Sequence, residues 1–539
     1  MVKFLVTGMV VIGQLFLLSP VMAQTLQFDI AGFKVEGNTL LTEAQIQQTL
    51  APFVGPGREM AEINKAVEAL RLAYREAGYP VVQVFPPEQT SSANQIVLKV
   101  IEGKVKSVTV VGNTAYDSDN IRASLPPLKE GTSPQVNRLE AAIALANENS
   151  AKQVGVNFQA GTQPGDLDAK INVSEELVSK YFVTADNTGS RTTGYTRTGL
   201  GFQHANLFNL DHVLTMQYLT SPEYVDKIAS YSVGYRIPFY DLGLALDLLG
   251  AYSDTEVVNT TTPAGQMNFT GQGVMLAARL NQALPTIGDI RHKLIYGIEY
   301  KDFSNDGTIN GAAPGGTWGS VSAQPLSLAY AAQVARPTFQ ASGSAGFYAN
   351  LPGGHSGSDS DYTAARNGSE PDWNLWRLNG SIGIPLPQDW QTRVTVSAQI
   401  TEDLLIPGEQ FGAGGATSVR GYNERVTSGD EGITTNFEIY TPELSQYLTL
   451  PGSQLRALAF WDVGVVAKNG TLLANEKRSQ SLASFGVGLR FNYMKNLNAK
   501  FDFGWVQQDI VSSDSPPKPL GERNDVRAHF SLSYVFNPF

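Results

Sequence analysis

The chain has 539 residues, a formal net charge of −11 and only 17% charged residues, against roughly 25% in ordinary globular proteins. The acidic balance argues against a nucleic-acid partner, which would need a basic patch. With no cysteine there are no disulfides, Cys-ligated zinc or thiol chemistry. Five scattered histidines leave little material for a metal centre, and no long apolar run after the N-terminus suggests a helical span. What remains is a β protein rich in glycine and aromatic residues, with no cofactor expected.

Residues 1–23 read as a secretory signal. Lys3 supplies the positive start, Phe4 to Leu18 is mostly apolar, and Val21-Met22-Ala23 fits a cleavage site before Gln24. Export without cysteine points to a Gram-negative periplasm or outer membrane.

An internal repeat follows. Val35, Gly37, Asn38 and Thr39 recur as Val110, Gly112, Asn113 and Thr114, and Ile46, Leu50 and Pro52 recur as Ile121, Leu125 and Pro127, all at one offset. Seven matches without a gap predict a duplicated module. Each copy reads as strand, helix, helix, strand, strand, with Thr42 capping a short helix. Residues 59–77 form a long helix in the first copy, with Ile63, Val67, Leu70 and Tyr74 on one stripe. The second copy places Leu139, Ala142, Ile143 and Ala146 on the equivalent helix, with strands near 153–158 and 168–175.

This arrangement resembles the POTRA domain, a periplasmic module that precedes outer-membrane barrels. The predicted boundaries are 24–103 for the first domain and 104–179 for the second. Such a domain can accept an extended client at an open sheet edge. Val81, Val82, Val84 and Phe85 are the client-binding candidates, although an ordinary edge strand explains that sequence equally well.

From residue 180 to 539 segments of about ten residues alternate apolar and polar, the pattern of a transmembrane β-barrel. In the last segment Ala528, Phe530, Leu532, Tyr534 and Phe536 share one face, and Arg527, His529, Ser531, Ser533 and Val535 the other. Sixteen such segments are predicted, an even number, joined by alternating short and long connections. The expected fold is therefore α+β followed by all-β: two tandem POTRA domains and a 16-stranded antiparallel barrel. Tyr534, Phe536 and the terminal Phe539 resemble the aromatic sorting signal read by the barrel assembly machinery.

The longest predicted loop, 402–432, contains GAGGATSVRGY. Its Val419, Arg420, Gly421 and Tyr422 resemble the V-R-G-[YF] motif of two-partner secretion transporters, the haemolysin/haemagglutinin secretion-activation type of the POTRA-barrel superfamily. Phe460-Trp461-Asp462-Val463-Gly464 matches the F-x-D-x-G strand motif of the same family. The resemblance implies that the loop folds into the lumen, where Arg420 meets Asp462 on the wall beside Phe460 and Gly464. Independently of the family, an arginine can hold a carboxylate with two charge-assisted bonds, so one pair can fix a long loop. Alternation puts Asp462 on one face with Leu458 and Phe460. Because a charge facing lipid costs up to a few kcal/mol, that face is expected to line the lumen, with Trp461 outward and the pair in a partly wet setting.

No nucleotide, metalloprotease or hydrolase motif is present. DSDSDY from Asp359 lacks the glycine and distal glutamate of a calcium loop and reads as an acidic outer loop. Asp430-Glu431 and the proline-rich 516–519 run read as solvated loops. Some family members carry an N-terminal plug helix. Gln24 stands only a few residues before the first module, so resting closure is expected to fall to the 402–432 loop.

The resemblance implies an outer-membrane translocator, not an enzyme, with POTRA domains in the periplasm. Its partners would be outer-membrane lipid and a secreted exoprotein, β-helical and adhesin- or haemolysin-like, with an N-terminal secretion domain. The alternative is a barrel assembly or insertion factor, which shares the loop motif. Those proteins usually have three or more POTRA domains, and the residues before this barrel leave room for two. A porin would not need periplasmic modules.

Overall fold

A computed structural model of the chain describes residues 27–89, 94–190, 193–226, 228–253, 258–262, 265–269, 272–304, 320–472, 476–512 and 518–536. The export segment 1–23 and Phe539 lie outside these residues.

The first module has a three-stranded sheet in the order Gly32–Glu36, Gln95–Glu102, Val82–Phe85, with the first pair parallel and the second antiparallel. Thr42 caps the helix Glu43–Leu50 in a reciprocal capping box with Gln45. The long helix Met60–Glu76 buries Ile63, Ala66, Val67, Leu70 and Tyr74, in one core with Val82, Val84, Ile96 and Leu98. A stripe at helical spacing has no other way to leave water.

The second module repeats the order and strand senses with Lys104–Val111, Asp166–Glu175 and Lys152–Ala160. Its helix Val136–Ala146 buries Leu139, Ala142, Leu145 and Ala146. The shared V-x-G-N-T has a physical reason in both copies. Gly37 (φ +87°) and Gly112 (φ +86°) turn so tightly that an added Cβ would lie 2.3 Å from the carbonyl oxygen of Val100 or Val173. Beyond each turn a glutamate takes the exposed donors. Glu102 accepts from the Thr39 N–H (2.6 Å), the Thr39 hydroxyl (2.5 Å) and the Leu40 N–H (3.0 Å). Glu175 accepts from the Thr114 N–H (3.0 Å), the Thr114 hydroxyl (2.5 Å) and the Ala115 N–H (2.8 Å). Burial would raise the Glu175 carboxyl, but these bonds more than offset it and hold it below the usual carboxylate range.

The rest is a closed antiparallel barrel. Counting Val321–Ala323 and Pro325–Arg336 as one strand interrupted at Gln324, it has sixteen strands, from Ser179–Asp186 to Val526–Phe536, which pair with each other to close it. Alternation sends Leu200, Tyr231, Leu276, Leu328, Trp461 and Phe530 outward, where they are exposed on the lipid face. Turns at one end are short, such as 208–211, 337–338 and 494–496, with 441–452 the long exception. The opposite end carries the long connections 351–373 and 401–430.

The second module docks on the short-turn end. Its core continues into the barrel through Ala205 and Val213. The carbonyl of Ala205 accepts from Asn149 Nδ2 (2.7 Å) and the Tyr116 hydroxyl (3.2 Å). Lys152 and Asp211 form a fully buried ion pair, and the Tyr240 hydroxyl adds a bond to Asp211 at 2.6 Å. Lys152 also lies over the Tyr116 ring, 5.0 Å from its centre. Burial lowers the proton affinity of this lysine, and Asp211 works against that shift.

Candidate functional site: a loop locked across the lumen

Between the eleventh strand, Gln391–Ile400, and the twelfth, Glu431–Tyr440, the chain folds back into the barrel. Phe411–Ala413 and Thr427–Gly429 pair as the stem of a hairpin. At its tip Val419 and Tyr422 are buried with Val466, Leu482, Val506 and Ile510. The Tyr422 hydroxyl donates to the carbonyl of Gln508 at 2.7 Å.

The two motifs meet residue by residue. Arg420 Nε donates to Asp462 Oδ2 at 2.7 Å and Nη2 to Oδ1 at 2.8 Å, a two-pronged pair. The Arg420 N–H also reaches Asp462, at 3.1 Å. The guanidinium lies over the Phe460 ring, 3.5 Å from its centre. Gly464 leaves room for Val419, since an added Cβ would stand 3.0 Å from its Cγ2. Thus each fixed position of F-x-D-x-G serves one contact of the loop tip. Trp461 faces outward and is 50% exposed, whereas Asp462 is 0% exposed, as alternation requires.

Three expectations need correction. The pair is not partly wet: Arg420 is 3% exposed, because Phe460, Asp462 and Glu438 of the wall enclose its guanidinium. Removing one partner would strand a buried charge, at a cost of about 3–5 kcal/mol. Asp430 is not solvated either. It is 0% exposed and accepts from Arg366, from the Leu405 N–H at 2.9 Å and from the Asn469 N–H at 2.7 Å. Finally, the stretch from Asp359 is not a plain acidic loop: within the connection 351–373 it forms a short helix, Asp359–Ala365, and Tyr362, Ala365 and Trp373 of this connection bury with Leu405, Ile406 and Phe303.

Several partners of the lock had no motif to announce them. Glu438 on the twelfth strand accepts from Arg420 Nη1 at 2.8 Å. Asp502 on the fifteenth lies 3.6 Å from Nη1, and His529 on the sixteenth accepts from the Gly421 N–H at 2.9 Å. Gly504 makes this approach possible, since an added Cβ would stand 2.6 Å from the Gly421 nitrogen. The only signal for these residues was their place on the lumen face. Burial would lower the proton affinity of Arg420, but Asp462, Glu438 and Asp502 raise it above the ordinary range. Burial pushes the Glu424 carboxyl up to about 7, opposed by its bond from the Ala416 N–H at 2.7 Å.

Beneath the loop lies a cavity of about 1030 Å³. Its floor includes Ala141, Leu145 and Glu148 of the second module, and its wall Ser344, Asn379, Ser381 and Ser397 of the barrel. Gly408 to Gly412 and Glu424 roof it.

The remaining candidates are placed elsewhere. Val82–Phe85 is an edge strand of the first module's sheet. Val82 and Val84 turn their side chains into the core, while Val81 and Phe85 are exposed. The Gly103 N–H bonds the Val81 carbonyl at 3.0 Å, so by ladder alternation the N–H and C=O of Val82 and Val84 point to the open edge. Tyr534 and Phe536 stack outward, with ring centres 6.0 Å apart, beside Tyr181 of the first strand.

A closed sixteen-stranded barrel with an apolar outer face, a POTRA region and a loop locked inside defines an outer-membrane transporter. The family model for haemolysin secretion/activation proteins ShlB/FhaC/HecB matches residues 165–491, and a ShlB-type POTRA model matches 28–103. The chain belongs to this family: it is an outer-membrane transporter of the two-partner secretion type, with its POTRA region in the periplasm. It is 21% identical to the outer membrane transporter CdiB of Dickeya dadantii, over 75% of this chain and 71% of that protein. It is 22% identical to the heme/hemopexin transporter protein HuxB of Haemophilus influenzae, over 87% of this chain and 82% of that protein. The solved structure of CdiB from Escherichia coli superposes with a TM-score of 0.77 at 18% identity, covering 96% of this chain and 92% of that one. CdiB from Acinetobacter baumannii gives 0.69 at 16% identity, covering 95% and 90%.

Proposed function

We propose that both α/β modules are POTRA domains and that they capture an unfolded partner exoprotein in the periplasm, the barrel then passing it to the cell surface. The open edge of Val82–Phe85 supplies the first contact by strand addition. The client reaches the cavity beneath the loop, and release of Arg420 from Asp462 lets the tip move aside. No nucleotide is needed, because folding outside withdraws the unfolded species from the equilibrium. The client is a large β-helical adhesin or haemolysin-like protein with an N-terminal secretion domain, and Tyr534, Phe536 and Phe539 direct barrel assembly. The observation that carries this reading is the two-pronged Arg420–Asp462 pair, which holds a removable obstacle in a lumen of porin-like strand number. Deleting the gene and comparing the secretome with the outer-membrane proteome tests it. Loss of one large exoprotein is expected; broad loss of other barrels would instead make the protein an assembly factor.

A further inference from the structure

We infer that Glu409 and Asp430 are positioning residues that clamp the two roots of the in-folding loop to the outer part of the barrel, leaving its tip as the moving element. The inference deepens the gate reading above and rests on contacts that involve neither motif.

Glu409 stands on the descending limb and is 1% exposed. Its Oε1 accepts from Lys301 Nζ and its Oε2 from Arg377 Nη2, each at 2.9 Å. Gln399 Nε2 donates to its backbone carbonyl at 3.0 Å, and Gln399 Oε1 accepts from Arg377 Nε at the same distance. Lys301 also meets Glu299, at 3.0 Å, and Glu299 meets Arg279, at 2.9 Å. Three cations thus face two carboxylates, and Glu409 is the one carboxylate supplied by the loop. If it left, Lys301 and Arg377 would lose their shared partner while Arg279 still competed for Glu299. Lys301 is almost fully buried, so leaving it without Glu409 is costly.

The ascending limb is held in the same way. Asp430 is paired with both terminal nitrogens of Arg366 and ties together Leu405 and Asn469. Gln399 Nε2 donates to the Asp430 carbonyl at 2.9 Å as well as to that of Glu409, so one side chain gathers both roots. Leu405 and Ile406, next to the clamp, are fully buried in an apolar cluster with Phe303 and Trp373. The tip, by contrast, is separated from the descending root by Gly414 (φ +106°) and Gly415 (φ +108°), conformations that need glycine. The roots are therefore built like a protein core. The tip is held separately, by Arg420 on Asp462 and Glu438, by the packing of Val419 and Tyr422, and by the Gly421 bond to His529.

Hydrogen exchange on the full-length protein in detergent micelles or nanodiscs tests this. In Arg420→Ala, amides of 414–426 should exchange about tenfold faster or more, and those of 403–411 should stay close to wild type. In Glu409→Gln, amides of 403–411 should themselves exchange about tenfold faster. The double variant Lys301→Gln/Glu409→Gln restores the balance of buried charge, and it should release 403–411 as well even if Glu409→Gln alone fails to insert. Release of 403–411 together with the tip in Arg420→Ala, or protection of 403–411 in the inserted double variant, would overturn the inference. Secretion by the same variants is read separately: a root that loosens while secretion is unchanged removes the gate reading and leaves the clamp standing.

Discussion

The backbone N–H of Gly421 donates to Nε2 of His529 at 2.9 Å. A ring nitrogen that accepts must be unprotonated, so the proton of the neutral ring sits on Nδ1. A fully protonated ring would set N–H against N–H at the heart of the V-R-G-Y tip.

His529→Phe removes the acceptor and leaves a buried N–H unpaired, costing about 1–3 kcal/mol. More frequent channel openings in planar bilayers are expected, with His529→Gln, which can still accept, closer to wild type. Equal behaviour of the two variants would mean that ring packing, not the hydrogen bond, matters there.

At the edge of the first module Val84→Pro deletes an N–H that points to the open side, and it also disturbs a buried side chain. Val84→Ala trims the packing alone. Binding of the client's N-terminal domain, measured by surface plasmon resonance, should fall in the proline variant well below the alanine one. Parallel losses would move the capture site off this edge.

The buried Lys152–Asp211 pair should govern docking of the second module. Asp211→Asn leaves a buried ammonium uncompensated, at about 3–5 kcal/mol. Limited proteolysis should then cut faster at residues 176–178, and Lys152→Met/Asp211→Leu should recover much of the resistance. A single variant as resistant as wild type would show that Tyr116 and Asn149 suffice.

Glu424 gives the loop a pH response. Its carboxyl holds its proton to about 7 in the packed loop, against an ordinary 4.5. Because the packed state binds that proton more tightly, acidification from about 7 to 4.5 stabilises the loop, and the gain is lost again as pH rises through 7. Openings should be rarer at pH 5 than at pH 8, and Glu424→Gln should flatten the difference. A profile that persists unchanged in that variant would assign the response to another group.

Strand number and lumen-facing positions were readable because lipid outside and water inside impose a two-residue period, as in Phe530, Leu532 and Tyr534. Arg420 and Asp462 were readable because two short motifs named them. Glu409, Lys301 and Arg377 were not, since they come from distant parts of the chain and no local pattern marks a charge that burial will later pair. Asp430 looked solvated because two acidic neighbours in a loop usually are. Only the return of the loop into the lumen reverses that. The cap formed by Tyr362 and Trp373 was hidden for the same reason, as an outer loop with its own small core has no periodicity to show.

Secretion measured in Arg420→Ala, Asp462→Ala and the double variant tests the lock most directly, with heat-modifiable mobility confirming that each barrel has folded. If the pair acts as one lock, each single variant should sharply reduce secretion and the double should be little worse than the more severe single. Losses that multiply in the double variant, with all three barrels folded, would show that the two residues act separately and would contradict the lock.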